Sequence, residues 1–359
     1  VRAPPPSIDD AGQPELVERL RAEIQAAGPI TFARFMARAL YEPGLGYYAA
    51  SRLRPTREGD FLTAPELHPI FGRAVLTQVE QMWQRLGEPA AFAVREYGAG
   101  RGTLGEVFAG RFAYQPVEAA DVRPQTPLVG VVLANEFLDA LPVHRVAVVD
   151  GRLQEVMVGW SDGGFGEALA ELSDVRLADW FERRGIRLAE GQRAEVNLAM
   201  LDWLAELGAT LERGYALIFD YGLPAAELYG PTRLTGTLRA FRSHHVSSNL
   251  LGGVGRQDLT AHLDLDALEQ GARAAGLALI GRTTQAEFLV GCGLSELLAD
   301  ERQVAGEDWS AQLELRSAVG RLLDPRQLGG YAVVVLGRGV AAEPPLRGLD
   351  FKLARPNAS

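Results

Sequence analysis

The chain has 359 residues, enough to bury a large core and long for one compact domain, so a core plus an elaboration is expected. Its composition is 47% hydrophobic and 23% charged, as in a globular protein, and its net charge of -10 argues against a nucleic-acid-binding surface, which needs a basic face to neutralise phosphates. The single cysteine, Cys292, excludes an intramolecular disulfide and a multi-cysteine zinc site, and no run of about 18 apolar residues is present to span a bilayer. Arg233, Arg239 and Arg242 are the candidates for a local basic patch. The start of the chain lacks the basic and apolar regions of a secretory signal, which makes a cytoplasmic protein the default expectation.

In chain order, residues 1–14 read as a flexible lead-in and residues 15–90 as a helical cap and lid. Glu15–Ala27 is amphipathic and stopped by Gly28-Pro29. Thr31–Leu40 begins with Thr31 near its N-cap, and Ile70–Leu86 sets Phe71, Val75, Val79 and Met82 on one face. The core is expected over 91–283 and 324–340, with 284–323 a helical insertion and 341–359 a tail. Its strands fall at Phe92–Glu96, Tyr114–Glu118, Leu128–Ala134, Tyr215–Phe219, Leu277–Arg282 and Tyr331–Leu336, and a β-hairpin folds around Asp150-Gly151. Leu104–Phe112, Asn197–Leu211 and Leu265–Ala275 read as helices. Leu223–His262 reads as a long Gly-rich loop, a length that in a compact domain usually serves function.

The most informative stretch is AVREYGAGRGTLG, residues 93–105. A strand ends in Glu96-Tyr97 and runs into Gly98, Gly100 and Gly102, where the missing β-carbons allow a sharp turn and a close approach to a ligand. The segment from Thr103 can then open a helix whose free N–H groups face the same crevice. This arrangement points to a nucleotide-type cofactor on a doubly wound α/β sheet. A dinucleotide fingerprint needs G-x-G-x-x-G, and here Thr103 occupies its third glycine. E-x-G-x-G-x-G instead resembles the first motif of class I S-adenosylmethionine-dependent methyltransferases.

Four further stretches accompany it. Glu118, at the end of the second strand and 20 residues after Gly98, stands where such folds bind ribose hydroxyls. ANEFLDALPVHR brings Asn135, Glu136 and Asp139 to the carboxyl end of a buried strand, where paired carboxylates could hold a cationic acceptor. GDFLTAPELHPIFG supplies Gly59, Asp60, Thr63 and Glu66 as a lid. LRAFRSHHV and QDLTAHLD place His244, Asp258 and His262 in the long loop as acceptor-binding candidates, without the tight spacing of a metal site.

Together with GLGYYA, GYALIFDYG and TQAEFL, these stretches resemble the MidA family of class I methyltransferases, in order over residues 29–337. That family includes the mitochondrial complex I assembly factor that dimethylates an arginine. The resemblance implies a Rossmann-like core, a mostly parallel seven-stranded sheet with its last strand antiparallel, extended by the helical cap and inserted helices and loops. It implies S-adenosylmethionine as donor and a protein, with arginine the candidate residue, as acceptor. Glu96, Gly98, Gly100, Gly102, Glu118 and Asn135 would contact the cofactor, with Gly59, Asp60, Thr63 and Glu66 as its lid. Glu136 and Asp139 would handle the acceptor. A non-catalytic cofactor-binding assembly chaperone is the alternative; a nicotinamide oxidoreductase is disfavoured by Thr103.

This chain departs from the family in two places. Ala99 replaces a proline of the glycine loop, and only nine residues, Ala119–Pro127, separate the second strand from LVGVVLA. A crossover with its helix takes at least about ten to twelve residues. The spacing predicts a lost helix–strand unit or an interruption of the chain within 109–128, and the interruption is the expectation.

Overall fold

The computed structural model describes residues 12–51, 63–118, 121, 124–242, 245–247 and 249–353. They divide into two compact units. A core unit takes the described residues of 62–138, 204–222 and 269–353, and a second unit those of 12–61, 139–203 and 223–268.

The core unit is built on β1 (Ala93–Tyr97), β2 (Ala113–Val117), β3 (Leu128–Asn135), β4 (Leu211–Asp220), β5 (Ala278–Thr284) and β6 (Ala332–Arg338). Their order across the sheet is β5-β6-β4-β3-β1-β2. The pairs β2–β1, β1–β3 and β3–β4 are parallel, whereas β6 runs antiparallel to both β4 and β5. The Rossmann-like core is therefore present with its last strand reversed. All of β1 is buried, and so is nearly all of β3 and β6, as expected of a sheet covered on both faces. The amphipathic helix Pro69–Arg85 supplies Ile70, Phe71, Val75 and Met82 to a core shared with Val94, Leu133 and Val335.

One expectation needs correcting. The sheet has six strands among the described residues, not seven, and β2 forms its edge. The physical reason is the short β2–β3 connection, which has no room for both a helix and a strand. The expected interruption within 109–128 falls partly on residues 119, 120, 122 and 123, which lie outside the described residues.

The second unit holds an antiparallel five-stranded sheet, in which the strands Ile30–Thr31, Arg152–Ser161, His144–Val149 and Arg193–Val196 lie side by side. Gly164–Ala170 pairs with Arg152–Ser161. The hairpin turns at Asp150-Gly151 with φ of 52° and 70°, the left-handed pair of a type I′ turn. Helices Pro14–Ala27 and Phe32–Tyr41 pack Leu16, Leu20 and Phe35 against Val143 and Val158. Thr31 caps the second of these helices by accepting the Arg34 N–H at 3.0 Å.

The segment 223–262 is not a plain loop: Arg239–Arg242, His245–Ser247 and Asp258–Thr260 form a small antiparallel sheet. Strands of three or four residues are too short to show an alternating pattern in the sequence. No helix among the described residues is long and apolar enough to cross a membrane.

The central strands of the core approach one another through glycine. A β-carbon on Gly130 of β3 would lie 1.9 Å from the Ala93 carbonyl oxygen, and one on Gly214 of β4 would lie 1.9 Å from the Gly130 oxygen. Neither clash can be relieved by turning a side chain. Gly130→Ala should therefore destabilise the protein by about 4 kcal/mol or more, in the range reserved for disrupted cores. A urea midpoint within a few tenths of a molar of the unsubstituted protein would show that the strands can separate there.

Candidate active site

Four strand ends converge at the carboxyl edge of the core sheet. Pairing sets Tyr97 beside Val117 and Ala134, and Asn135 beside Phe219. The next residues along these strands are Gly98, Glu118, Glu136 and Asp220, so the register alone brings a glycine loop and three carboxylates to one edge. Ligands of open α/β sheets bind at this edge.

The glycine loop is left-handed at each of its glycines, with φ of 70° at Gly98, 56° at Gly100 and 74° at Gly102. Gly98 is doubly constrained, because a β-carbon there would meet the Phe137 ring at 3.0 Å. Around Gly100 and Gly102 the space is open. The loop is tied down by the Gly98 N–H on the Val117 carbonyl at 2.8 Å and by the Gly100 N–H on Glu118 Oε1 at 2.8 Å. Glu118 is thus bound to the loop itself, a contact the sequence reading had not assigned to it. Gly102 is the N-cap of the short helix Thr103–Phe108.

Glu96, the next-to-last residue of β1, is only 4% exposed and accepts the Tyr114 hydroxyl at 2.5 Å. Burial, reinforced by the charge of Glu118, pushes its carboxyl up to about 7. The same burial and the neighbouring Glu96 raise the Tyr114 phenol well above its ordinary value.

Asn135 is 8% exposed, and its side-chain NH2 donates to Glu136 Oε1 at 3.2 Å. Among the described residues, its buried carbonyl oxygen has no hydrogen-bond partner. A buried acceptor left unpaired is costly and marks a place for a ligand donor. Glu136 sits on the turn after β3 with φ of 49°, in the left-handed region that non-glycine residues rarely adopt. Its Oε1 also accepts the Ala64 N–H at 3.2 Å. Burial, with Asp220 and Glu66 adding like charge, pushes its carboxyl up to about 8.

The described part of the expected lid joins this edge. Thr63 precedes the short helix Ala64–Leu67, and its N–H and hydroxyl both reach Glu66 Oε2 at 3.3 Å. Glu66 in turn pairs with Arg101 of the glycine loop at 3.5 Å. Gly59 and Asp60 lie outside the described residues, as does His244.

Asp139, Asp258 and His262 belong to the second unit. The Asp139 carbonyl accepts the Ala261 N–H at 3.0 Å, and Asp258 accepts the Tyr48 hydroxyl at 2.8 Å. The His262 N–H donates to the Thr237 hydroxyl at 3.0 Å. Burial and the charges of Arg233 and Arg239 hold the His262 imidazole down at about 4. Two core residues escaped the sequence reading. Arg101 was hidden as a spacer between glycines. Asp220 was visible as the acid ending a buried strand, the same signal that singled out Glu118.

Comparison with known proteins decides the family. The model of the S-adenosyl-L-methionine-dependent methyltransferase family Methyltransf_28 matches residues 106–283. A crystal structure of a COG1565 superfamily member from Burkholderia thailandensis, bound to S-adenosyl-homocysteine, is 31% identical with a TM-score of 0.83, covering 97% of this chain and 97% of that one. The chain belongs to this methyltransferase family. The Drosophila melanogaster protein arginine methyltransferase NDUFAF7 homolog, mitochondrial, is 29% identical over 89% of this chain and 84% of its own. The Mus musculus protein arginine methyltransferase NDUFAF7, mitochondrial, is 26% identical over 88% and 82%.

These mitochondrial names overturn the cytoplasmic expectation. That expectation rested on the single cysteine and on the composition of the first residues, and neither separates one thiol-reducing compartment from another.

The residues present fit the family's donor: open backbone at Gly100 and Gly102, a carboxylate, Glu118, directly after β2, and an Asn135 oxygen that no described residue satisfies. Gly98→Val would force a branched side chain into a left-handed position against Phe137. Titration calorimetry should show S-adenosylhomocysteine affinity falling at least about 100-fold while the fold persists; unchanged affinity would place the donor elsewhere.

A second expectation concerns pH. A Glu136 carboxyl raised from 4.5 to about 8 means that the native state holds a proton which the unfolded chain has released. Stability from this group is present below pH 4.5 and is lost as pH rises through 8. Glu136→Gln removes that loss, so its melting temperature should gain on the unsubstituted protein by several degrees between pH 5 and pH 9. A constant difference over that range would contradict it.

Proposed function

We propose that this chain methylates a nitrogen of a protein acceptor, an arginine guanidinium in keeping with the names of its NDUFAF7 relatives, in support of respiratory complex I assembly as the family resemblance implies. The observation that carries this reading is Glu136, a partly buried carboxyl of raised proton affinity held on a left-handed turn beside the glycine loop.

When bound, S-adenosylmethionine would supply an electrophilic methyl, and its leaving group, the neutral thioether of S-adenosylhomocysteine, needs no acid assistance. The rest falls to the protein, and it is mainly positioning and electrostatics. A guanidinium is a poor nucleophile, protonated up to a pKa above about 12 with its lone pairs delocalised. A carboxylate that accepts two of its N–H groups orients it and localises its positive charge away from the attacking nitrogen. Glu136 is the candidate for that clamp and for the proton the nitrogen releases as its bond to the methyl carbon forms. Gly98, Gly100, Gly102, Glu118 and Asn135 are the candidates for holding the donor. Glu96 would lie behind them and Thr63 and Glu66 above. Asp139 remains the candidate second carboxylate for handling the acceptor, and Asp258 and His262 remain candidates for binding it.

The test uses labelled S-adenosylmethionine and a protein extract from cells lacking this protein, with mass spectrometry locating the methyl group. Glu136→Gln should bind S-adenosylhomocysteine within about twofold of the unsubstituted protein, while turnover falls by a factor of about 100 or more. Equal loss of binding and turnover would assign Glu136 to the donor instead. Absence of methyl transfer by the unsubstituted protein, with donor binding intact, would favour the non-catalytic assembly factor.

A further inference from the structure

Asp220, the last residue of β4, is 1% exposed and has no role in the reading above. Its carboxylate accepts two backbone N–H groups, from Leu138 at 2.9 Å and from Tyr221 at 2.8 Å. Leu138 lies two residues beyond Glu136, on the turn that leaves β3. On the other side of that turn, the Glu136 N–H donates to the Phe219 carbonyl at 2.9 Å. The left-handed residue is thus held from both sides by the end of one strand. A strained backbone conformation persists only where its surroundings over-determine it, and these two bonds do so.

We propose that Asp220 is the positioning residue of Glu136: its carboxylate clamps the turn that aims Glu136 and sets a second negative charge beside it. This role rests on Glu136 being the group that meets the acceptor. A neutral acceptor at residue 220 could hold part of the turn, yet only a buried carboxylate also repels the ionised form of its neighbour. The groups facing Glu136 are Asp220 from β4, Glu66 and the Ala64 N–H from the helix Ala64–Leu67, and Asn135 from its own strand. Arg101 of the glycine loop is engaged with Glu66. Of these, Asp220 and Glu66 raise the proton affinity, and the two hydrogen-bond donors lower it.

The experiment is a carbon-13 titration of protein labelled at the glutamate carboxyl carbon, with Glu136 assigned as the resonance lost in Glu136→Gln. The expected midpoint is near 8 in the unsubstituted protein. In Asp220→Asn it should fall by at least about one pH unit, a tenfold change in proton affinity. The rising limb of kcat/KM against pH should move down with it, while S-adenosylhomocysteine affinity stays within about twofold. Should Asp220→Asn fail to fold, Asp220→Ser keeps an acceptor without the charge and takes its place. Turnover loss from Asp220→Asn should not add to that of Glu136→Gln, because one residue acts through the other. An unmoved Glu136 midpoint in a folded Asp220 variant overturns the positioning role. Full turnover in Glu136→Gln overturns the reading on which it rests, and the two failures are separately visible.

Discussion

The active edge depends on how closely β1, β3 and β4 can lie. With no β-carbon at Gly130 or Gly214, each backbone meets the carbonyl of the next strand, and the register of three parallel strands is fixed at their amino ends. A register error in a sheet moves whole sets of side chains at once. Here it would separate Gly98 from Asn135 and Glu136 from Phe219. Loop chemistry cannot substitute for that alignment, since the loops only begin where the strands stop.

Given the alignment, the edge gathers acid. Glu96, Glu118, Glu136, Asp220 and Glu66 all lie on or next to it, and at least two of them, Glu96 and Glu136, carry a raised proton affinity from burial and like charge. Such a cluster costs stability as it ionises. A bound positive group would reverse that cost, because an opposite charge nearby favours the ionised carboxylate. A sulfonium donor and a guanidinium acceptor are both cationic. The acids that weaken the fold are thus of the sign that the donor and the proposed acceptor would call for, with hydrogen bonds from Gly100, Ala64, Leu138 and Tyr221 keeping three of them in place.

Much of this was legible in the chain. The glycine triplet, the acid that follows β2 and the polar run after LVGVVLA each sit at a strand end, and strand ends are readable from apolar runs. Asp220 carried the same signature, and only its backbone partners reveal what it does. Other features were not readable. Gly130 and Gly214 look like ordinary interruptions of strands, because close approach is a property of the sheet and not of the strand. The small sheet within 223–262 is built from strands shorter than any detectable period. The short β2–β3 connection is visible in the chain, but it reads there as an interruption, and the expected sheet kept seven strands, one more than the described residues form.

The most direct test is a crystal structure grown with S-adenosylhomocysteine. Its density is expected against Gly98, Gly100 and Gly102, with the ribose on Glu118, a donor group on the Asn135 oxygen, and the Glu136 carboxyl facing the sulfur. Density at another edge of the sheet, or a Glu136 side chain turned out into solvent, would contradict this arrangement.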